Sequence, residues 1–152
     1  MREIAAAAGC SRATLYRYFE NRDVLYTAYV HREAYRLYRE LTDQLASVTD
    51  PQERLVQGML SCLHLVRDNP ALASWFTATA RPLGGEMAAQ SPVIAALAET
   101  FVGSLGSDER VDQRARWLVR VLTSFLMFPG RDDADEAAML AEFVAPYVIA
   151  PG

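Results

Sequence analysis

Ile4-Ala-Ala-Ala-Ala-Gly-Cys-Ser-Arg-Ala-Thr-Leu-Tyr-Arg-Tyr-Phe-Glu-Asn-Arg-Asp-Val-Leu25 is the most informative stretch of this chain. Arg2 to Ala8 is rich in alanine and reads as a short helix. Gly9 follows where a helix end favours the left-handed conformation. Ser11 is suited to cap a second short helix, Ser11 to Phe19, by accepting from an unpaired N–H of its first turn. Two short helices around a three-residue, glycine-containing turn make a helix-turn-helix. Ile4, Ala5, Ala8, Cys10, Leu15 and Phe19 form one small core where the helices cross, and Ala5 permits a close crossing. Arg12, Ala13, Tyr16 and Arg17 are left outside.

That outer set has the chemistry of a helix that reads DNA. Arginine can donate a bidentate pair of hydrogen bonds to guanine O6 and N7, so Arg12 and Arg17 are the expected base readers. Thr14, Tyr16 and Tyr18 offer hydroxyls to phosphates, and Arg22 offers charge, contacts that fix register without carrying sequence information. Spacing alone leaves a second reading open, in which Tyr16, Tyr18 and Phe19 are a core stripe and the arginines a solvated face.

Charge is distributed to match the first reading. The chain has 152 residues and a net charge of -4, but residues 1–39 carry seven arginines against four acids and residues 40–152 carry eight against fifteen. A basic head on an acidic body points to a polyanionic partner for the head alone. Hydrophobic residues make up 51% of the sequence, enough for a real core, and no apolar run reaches the roughly 18 residues that span a bilayer. Without a secretory signal at Met1-Arg2-Glu3-Ile4, the expected location is cytoplasmic, with no membrane partner. Cys10 and Cys62 lack metal-ligand spacing, so neither a metal nor a disulfide is expected.

Helical periodicity runs through the remainder, and the predicted fold class is all-α. One long helix from about Asn21 or Arg22 to Ser47 is predicted from Leu25, Ala28, Arg32, Tyr35, Leu41, Leu45 and Val48. Asp50-Pro51-Gln52-Glu53 is a capping signal with proline at the first position, predicting a helix over 51–67. Asn69-Pro70 starts the next, which fades by Arg81-Pro82 and the Gly84-Gly85 pair. Ser91-Pro92 opens another that runs to Leu105, Ser107-Asp108 opens one that Pro129-Gly130 stops, and Asp133 with Glu136 makes a capping box for the last, ending near Val148. Asp132, Asp133, Asp135 and Glu136 are accordingly read as helix-start acids. Val121, Leu122, Phe125, Leu126, Leu140, Phe143, Val144 and Tyr147 make the last two helices more apolar than a monomer's surface needs, and suit a symmetric four-helix interface between two copies.

The run Ser11-x-x-Thr14-Leu15-Tyr16-x-Tyr18-Phe19, followed by Asn21-Arg22-Asp23-x-Leu25, resembles the DNA-binding signature of the TetR family of transcriptional regulators. The resemblance implies residues 1–39 as a partial helix-turn-helix domain with its connecting helix, and residues 40–152 as a helical effector-binding and dimerisation domain. It places Arg12, Ala13, Thr14, Tyr16, Arg17 and Tyr18 on recognition-helix positions, with Arg22 replacing the usual lysine at a phosphate contact. It also implies a small-molecule cavity, for which Met59, Cys62, Leu63, Trp75, Phe76, Thr79, Met87, Leu97, Phe101 and Trp117 are the candidate lining residues. Each of these also suits an ordinary core position.

Family members carry a further helix before the position of Arg2. The expectation is therefore that the natural protein has roughly 30 to 45 more residues and that Ile4, Leu15 and Phe19 are partly exposed here. The function implied is a homodimeric, ligand-responsive regulator of a double-stranded DNA operator, a repressor released by an unknown small-molecule effector. The alternative is a helical ligand-binding or dimerising module that does not bind DNA because the first helix is missing. His31 and His64 each stand alone in sequence, no catalytic constellation stands out, and neither enzyme activity nor a cofactor is expected.

Overall fold

Side-chain caps set most of the helix starts. The Ser11 hydroxyl accepts from Thr14 N–H and opens a helix over Arg12–Tyr18, while Asn21 Oδ1 accepts from Val24 N–H at the start of Arg22–Gln44. Asp50 accepts from Glu53 N–H at 2.7 Å ahead of Pro51–Arg67. Asn69 caps Pro70–Ala73, and Ser91 caps Pro92–Gly103. The computed structural model describes residues 1–76, 83–106 and 109–149, and among these it contains helices and no strand. We number them α1 (Arg2–Ala7), α2 (Arg12–Tyr18), α3 (Arg22–Gln44), α4 (Pro51–Arg67), α5 (Pro70–Ala73), α6 (Leu83–Gln90), α7 (Pro92–Gly103), α8 (Val111–Met127) and α9 (Asp133–Met139). A π-helical turn, Leu140–Val144, then leads into α10 (Ala145–Val148).

The chain divides into two compact units, Met1–Glu33 and Ala34–Gly152, a boundary six residues earlier than the sequence suggested. In the first, α1 and α2 meet around Ala5 and Leu15, both buried. Ile4, Cys10 and Phe19 are half-buried, and Ala8 is exposed at the helix end rather than inside. Gly9 takes φ +64°, the conformation the turn demands.

In the second unit α7 and α8 pack most extensively, and α4 lies against α5, α8 and α9. Leu45, Leu55, Met59, Phe101, Val102, Leu105, Ala115, Leu118, Leu140, Val144, Ala145 and Val148 form its core. At Gly58 the Phe101 ring sits where a Cβ would be, with ring carbon at 2.7 Å and Leu45 at 3.2 Å, so α4 accepts the aromatic residue only because that position has no side chain. The Gly84-Gly85 pair lies inside α6 rather than ending a helix. A Cβ at Gly84 would stand 2.7 Å from the Phe76 ring and one at Gly85 3.2 Å from Thr123, so close approach explains both glycines. The Arg81-Pro82 and Ser107-Asp108 signals lie outside the described residues. The described start of α8 is Val111, after Arg110 at φ +54° without a side-chain cap.

Two further expectations are corrected. α3 ends at Gln44 and buries Val30 and Glu33, whereas Ala28, Arg32 and Tyr35 are exposed, so the predicted apolar stripe is out of phase along this helix. Beyond its end the Arg54 guanidinium donates to the carbonyls of Leu45 and Val48. The last helix is capped by Asp132, whose Oδ1 accepts from Asp135 N–H at 2.8 Å, rather than by Asp133. Glu136 is then used differently: it is 1% exposed and accepts from Arg67 Nη1 at 2.9 Å, Arg67 Nη2 at 2.6 Å and Gly130 N–H at 2.9 Å.

Arg67 Nη2 also donates to the Phe125 carbonyl at 3.1 Å, so one guanidinium joins the end of α4 to α8 and α9. Hydrogen bonds from Arg67, opposed by burial and aided by the Gly130 amide, hold the Glu136 carboxyl below its ordinary 4.5. A lowered folded pKa contributes stability that is fully present above 4.5 and is lost as pH falls through the folded value. Glu136→Gln should therefore cost about 2 to 4 kcal/mol at neutral pH and flatten the acid limb of a stability–pH profile below 4.5, both read by urea unfolding. Gly58→Ala should cost about 1 to 3 kcal/mol in the same assay, because the Phe101 ring must move.

Candidate nucleic-acid interface

Leu15 anchors α2 through its buried side chain, and the helix presents Arg12, Ala13, Tyr16, Arg17 and Tyr18 on its exposed surface. Tyr16 is 43% and Tyr18 68% exposed, so these two tyrosines are not part of a buried core stripe, whereas Phe19 is half-buried. Thr14 is only half-buried, but its hydroxyl lies 2.9 Å from the Ser11 hydroxyl and is already engaged at the helix start. It acts first in the cap, which reduces its availability to a phosphate.

The arginines of this surface are held by tyrosines. Arg12 stands over the Tyr16 ring at 5.9 Å from its centroid, Arg17 over Tyr18 at 5.2 Å, and Arg22 over Tyr26 at 4.9 Å. Arg22 Nε also donates to the Tyr26 hydroxyl. Stacking uses the face of a guanidinium and leaves its N–H edge for other acceptors. Among the described residues none of these three arginines has a carboxylate partner, so the face keeps its positive charge. A helix with exposed arginines, hydroxyls and a capped N-terminus is equipped to meet phosphates and base edges.

Tyr26 and the Asn21 cap were not singled out by sequence reasoning. The four-residue spacing from Arg22 to Tyr26, repeated from Arg12 to Tyr16, was the available signal.

The residues proposed for an effector cavity are dispersed by burial. Met59, Leu63 and Phe101 are buried, Met59 and Phe101 within the main core; Cys62, Trp75, Phe76, Met87 and Leu97 are half-buried. Phe76 lies against Gly84, and the Trp75 carbonyl accepts from Gly84 N–H at 3.2 Å, which brings these two aromatic positions to the start of α6. Burial raises the Cys62 thiol to about 11, so it stays protonated and neutral. Trp117 is 47% exposed on α8, and Thr79 lies outside the described residues.

The proposed pairing surface is also reshaped. Leu140 and Val144 are buried in the chain's own core and have no surface to offer a second copy. Phe143 and Tyr147 are exposed, as is Phe128, while Val121, Leu122, Phe125 and Leu126 are half-buried. His64, solitary in sequence, has Nε2 at 3.0 Å from Asp133 Oδ2, and Asp135 pairs with Arg131. The acidic cluster thus divides into a cap, a histidine contact, a local ion pair and the buried Glu136. Among the described residues no helix is long and apolar enough to cross a membrane.

A two-helix head of this kind, exposing a capped second helix with unneutralised arginines, defines a helix-turn-helix protein. Residues 1–29 match the family described as bacterial regulatory proteins, tetR family. The chain is 63% identical over 150 residues to the uncharacterized HTH-type transcriptional regulator Rv1255c of Mycobacterium tuberculosis, covering 97% of this chain and 74% of that protein. It is 31% identical over 156 residues to the HTH-type transcriptional regulator AlkX of the same organism, covering 95% and 73%. The chain belongs to the TetR family of DNA-binding transcriptional regulators.

Ser11→Ala removes the bond to Thr14 N–H and the contact to the Thr14 hydroxyl together. It should cost the head about 1 kcal/mol and speed amide hydrogen exchange in 12–18, with little change in 51–67.

Proposed function

We propose that this protein is a one-component repressor that binds a near-palindromic double-stranded DNA operator as a homodimer and releases it when a small apolar or amphipathic effector enters the body. The observation that carries the DNA-binding part is the exposed Arg12–Arg17 face of α2, whose charge no carboxylate among the described residues neutralises. Arg12 and Arg17 read guanine edges; Tyr16, Tyr18 and Arg22 contact the backbone and set the register. Ala13, small and exposed between them, lets the helix approach the groove.

The effector occupies the body beside the half-buried Cys62, Trp75, Phe76, Met87 and Leu97, an apolar set in keeping with small-molecule sites. Such an effector must bind the DNA-competent and released states unequally, since equal affinity for both shifts nothing. The second copy covers the exposed Phe128, Phe143 and Tyr147 together with Val121, Leu122, Phe125 and Leu126. Burying these aromatic residues is worth more than leaving them in water.

Fluorescence anisotropy with duplex from the DNA flanking the gene, against mixed-sequence duplex at two salt concentrations, tests the reading. Tight, salt-sensitive binding that prefers the flanking DNA is expected, with Arg12→Ala and Arg17→Ala each losing about 1 to 3 kcal/mol of discrimination. Binding that ignores both sequence and salt would instead favour a ligand-binding or dimerising module that does not read DNA. Sedimentation at micromolar concentration should give a dimer, and Phe143→Asp should shift it toward monomer; a wild-type monomer would reject the pairing.

A further inference from the structure

One helical turn away, Arg12 and Arg22 of the first unit keep different company from three arginines of the second, while Arg32 of the first pairs with the adjacent Glu33 at 3.1 Å. In the second unit Arg36 pairs with Glu40 at 2.6 Å, Arg116 with Asp112 at 3.0 Å, and Arg131 with Asp135, each a carboxylate four residues distant. In the first unit the residue four positions after Arg12 and Arg22 is a tyrosine, and the guanidinium rests on its ring. A carboxylate partner orders an arginine and cancels its charge, whereas a phenol orders it and leaves the charge whole.

The pair formed by Arg22 and Tyr26 is the more completely built. Asn21 caps α3 immediately before Arg22, which fixes the backbone from which the side chain departs. The ring lies 4.9 Å from the guanidinium carbon, and the hydroxyl accepts from Nε. Nε is the inner donor of the guanidinium, so its use leaves the Nη1–Nη2 edge available, and among the described residues that edge has no carboxylate. Two parallel N–H groups on that edge match the spacing of two phosphate oxygens.

We propose that Tyr26 is a positioning residue for DNA binding, holding the Arg22 guanidinium by its face and its Nε so that the outer edge meets a backbone phosphate. The assignment rests on the reading of the first unit as the part that binds DNA. It gives Tyr26 a task without contact to DNA: it removes the cost of ordering a long, flexible side chain at the moment of binding. Phosphate contact is independent of sequence, so the effect belongs to every duplex the protein binds.

The test is anisotropy with mixed-sequence duplex over a salt series, using the full chain as wild type, Arg22→Ala, Tyr26→Phe, Tyr26→Leu and the double variant Arg22→Ala/Tyr26→Leu. Circular dichroism accompanies each variant. Tyr26→Leu should weaken binding by about threefold to tenfold, in line with the ordering of one side chain, with an unchanged slope of log affinity against log salt. Arg22→Ala should reduce that slope by about 1 because a phosphate contact is lost. The double variant should bind no more weakly than Arg22→Ala, since a holder has no effect once its charge is gone. Tyr26→Phe, which keeps the ring and loses only the hydroxyl, should fall between wild type and Tyr26→Leu, and it carries the comparison if Tyr26→Leu does not fold. Losses that multiply in the double variant, or a wild-type affinity in both Tyr26 variants, would overturn the positioning role while leaving DNA binding intact. A wild type that binds no duplex at low salt would overturn the DNA-binding reading and the positioning role with it.

Discussion

A carboxylate can be taken out of water only when hydrogen-bond donors replace the solvent it loses, and Glu136 shows how much structure that requirement can organise. Its two oxygens take both Nη groups of Arg67 and the backbone N–H of Gly130, while the same guanidinium reaches the Phe125 carbonyl. The end of α4, the end of α8, the connection to α9 and α9 itself are thereby fixed at one point. Gly130 belongs to this arrangement, because a Cβ there would stand 2.6 Å from Glu136 Cγ. Removing any one donor leaves a buried charge undersatisfied, so these elements are set together rather than one by one. The apolar core beside them, from Leu55 and Met59 to Leu140 and Val148, then packs against positions already determined.

Features of the fold are legible in the sequence where the physics is itself local. The helix over 51–67 follows from Asp50 and Pro51, and the turn at Gly9 and the cap at Ser11 follow from three neighbouring residues. What the sequence hides depends on distant partners. Glu136 has the spacing of a capping residue, yet it pairs with Arg67, sixty-nine residues earlier, and nothing near either residue announces it. Gly84 and Gly85 resemble a helix stop because glycine usually weakens helices, but tertiary contact with Phe76 and Thr123 decides their place. Leu140 and Val144 share an apolar pattern with Phe143 and Tyr147; periodicity names such a stripe without saying how much of it the chain covers itself. Along α3, Val30 and Glu33 are buried where the pattern points to Ala28 and Arg32, because which face of this helix is covered is decided by what packs on it and not by local spacing.

The two units also differ in what they do with charge. The second uses Arg36, Arg67, Arg116 and Arg131 internally, on Glu40, Glu136, Asp112 and Asp135, and so converts their charge into structure. The first pairs Arg32 with Glu33 but sets Arg12, Arg17 and Arg22 on tyrosines, with no carboxylate partner among the described residues. A net charge of -4 for the whole chain conceals this division, which is visible only when arginines are sorted by the groups beside them. It also accounts for the otherwise costly exposure of Tyr16 and Tyr18, whose rings are occupied by cations rather than by core.

The central claim is that α2 reads base edges through Arg12 and Arg17. Selection of bound sequences from a fully random duplex pool, with the intact protein at physiological salt, tests it with no operator sequence assumed. The account predicts enrichment of a near-palindromic sequence with guanines in each half-site, and loss of those guanines from the enriched set when Arg12 or Arg17 is replaced by alanine. A pool that emerges unenriched, or an enriched sequence that both replacements leave unchanged, would contradict it.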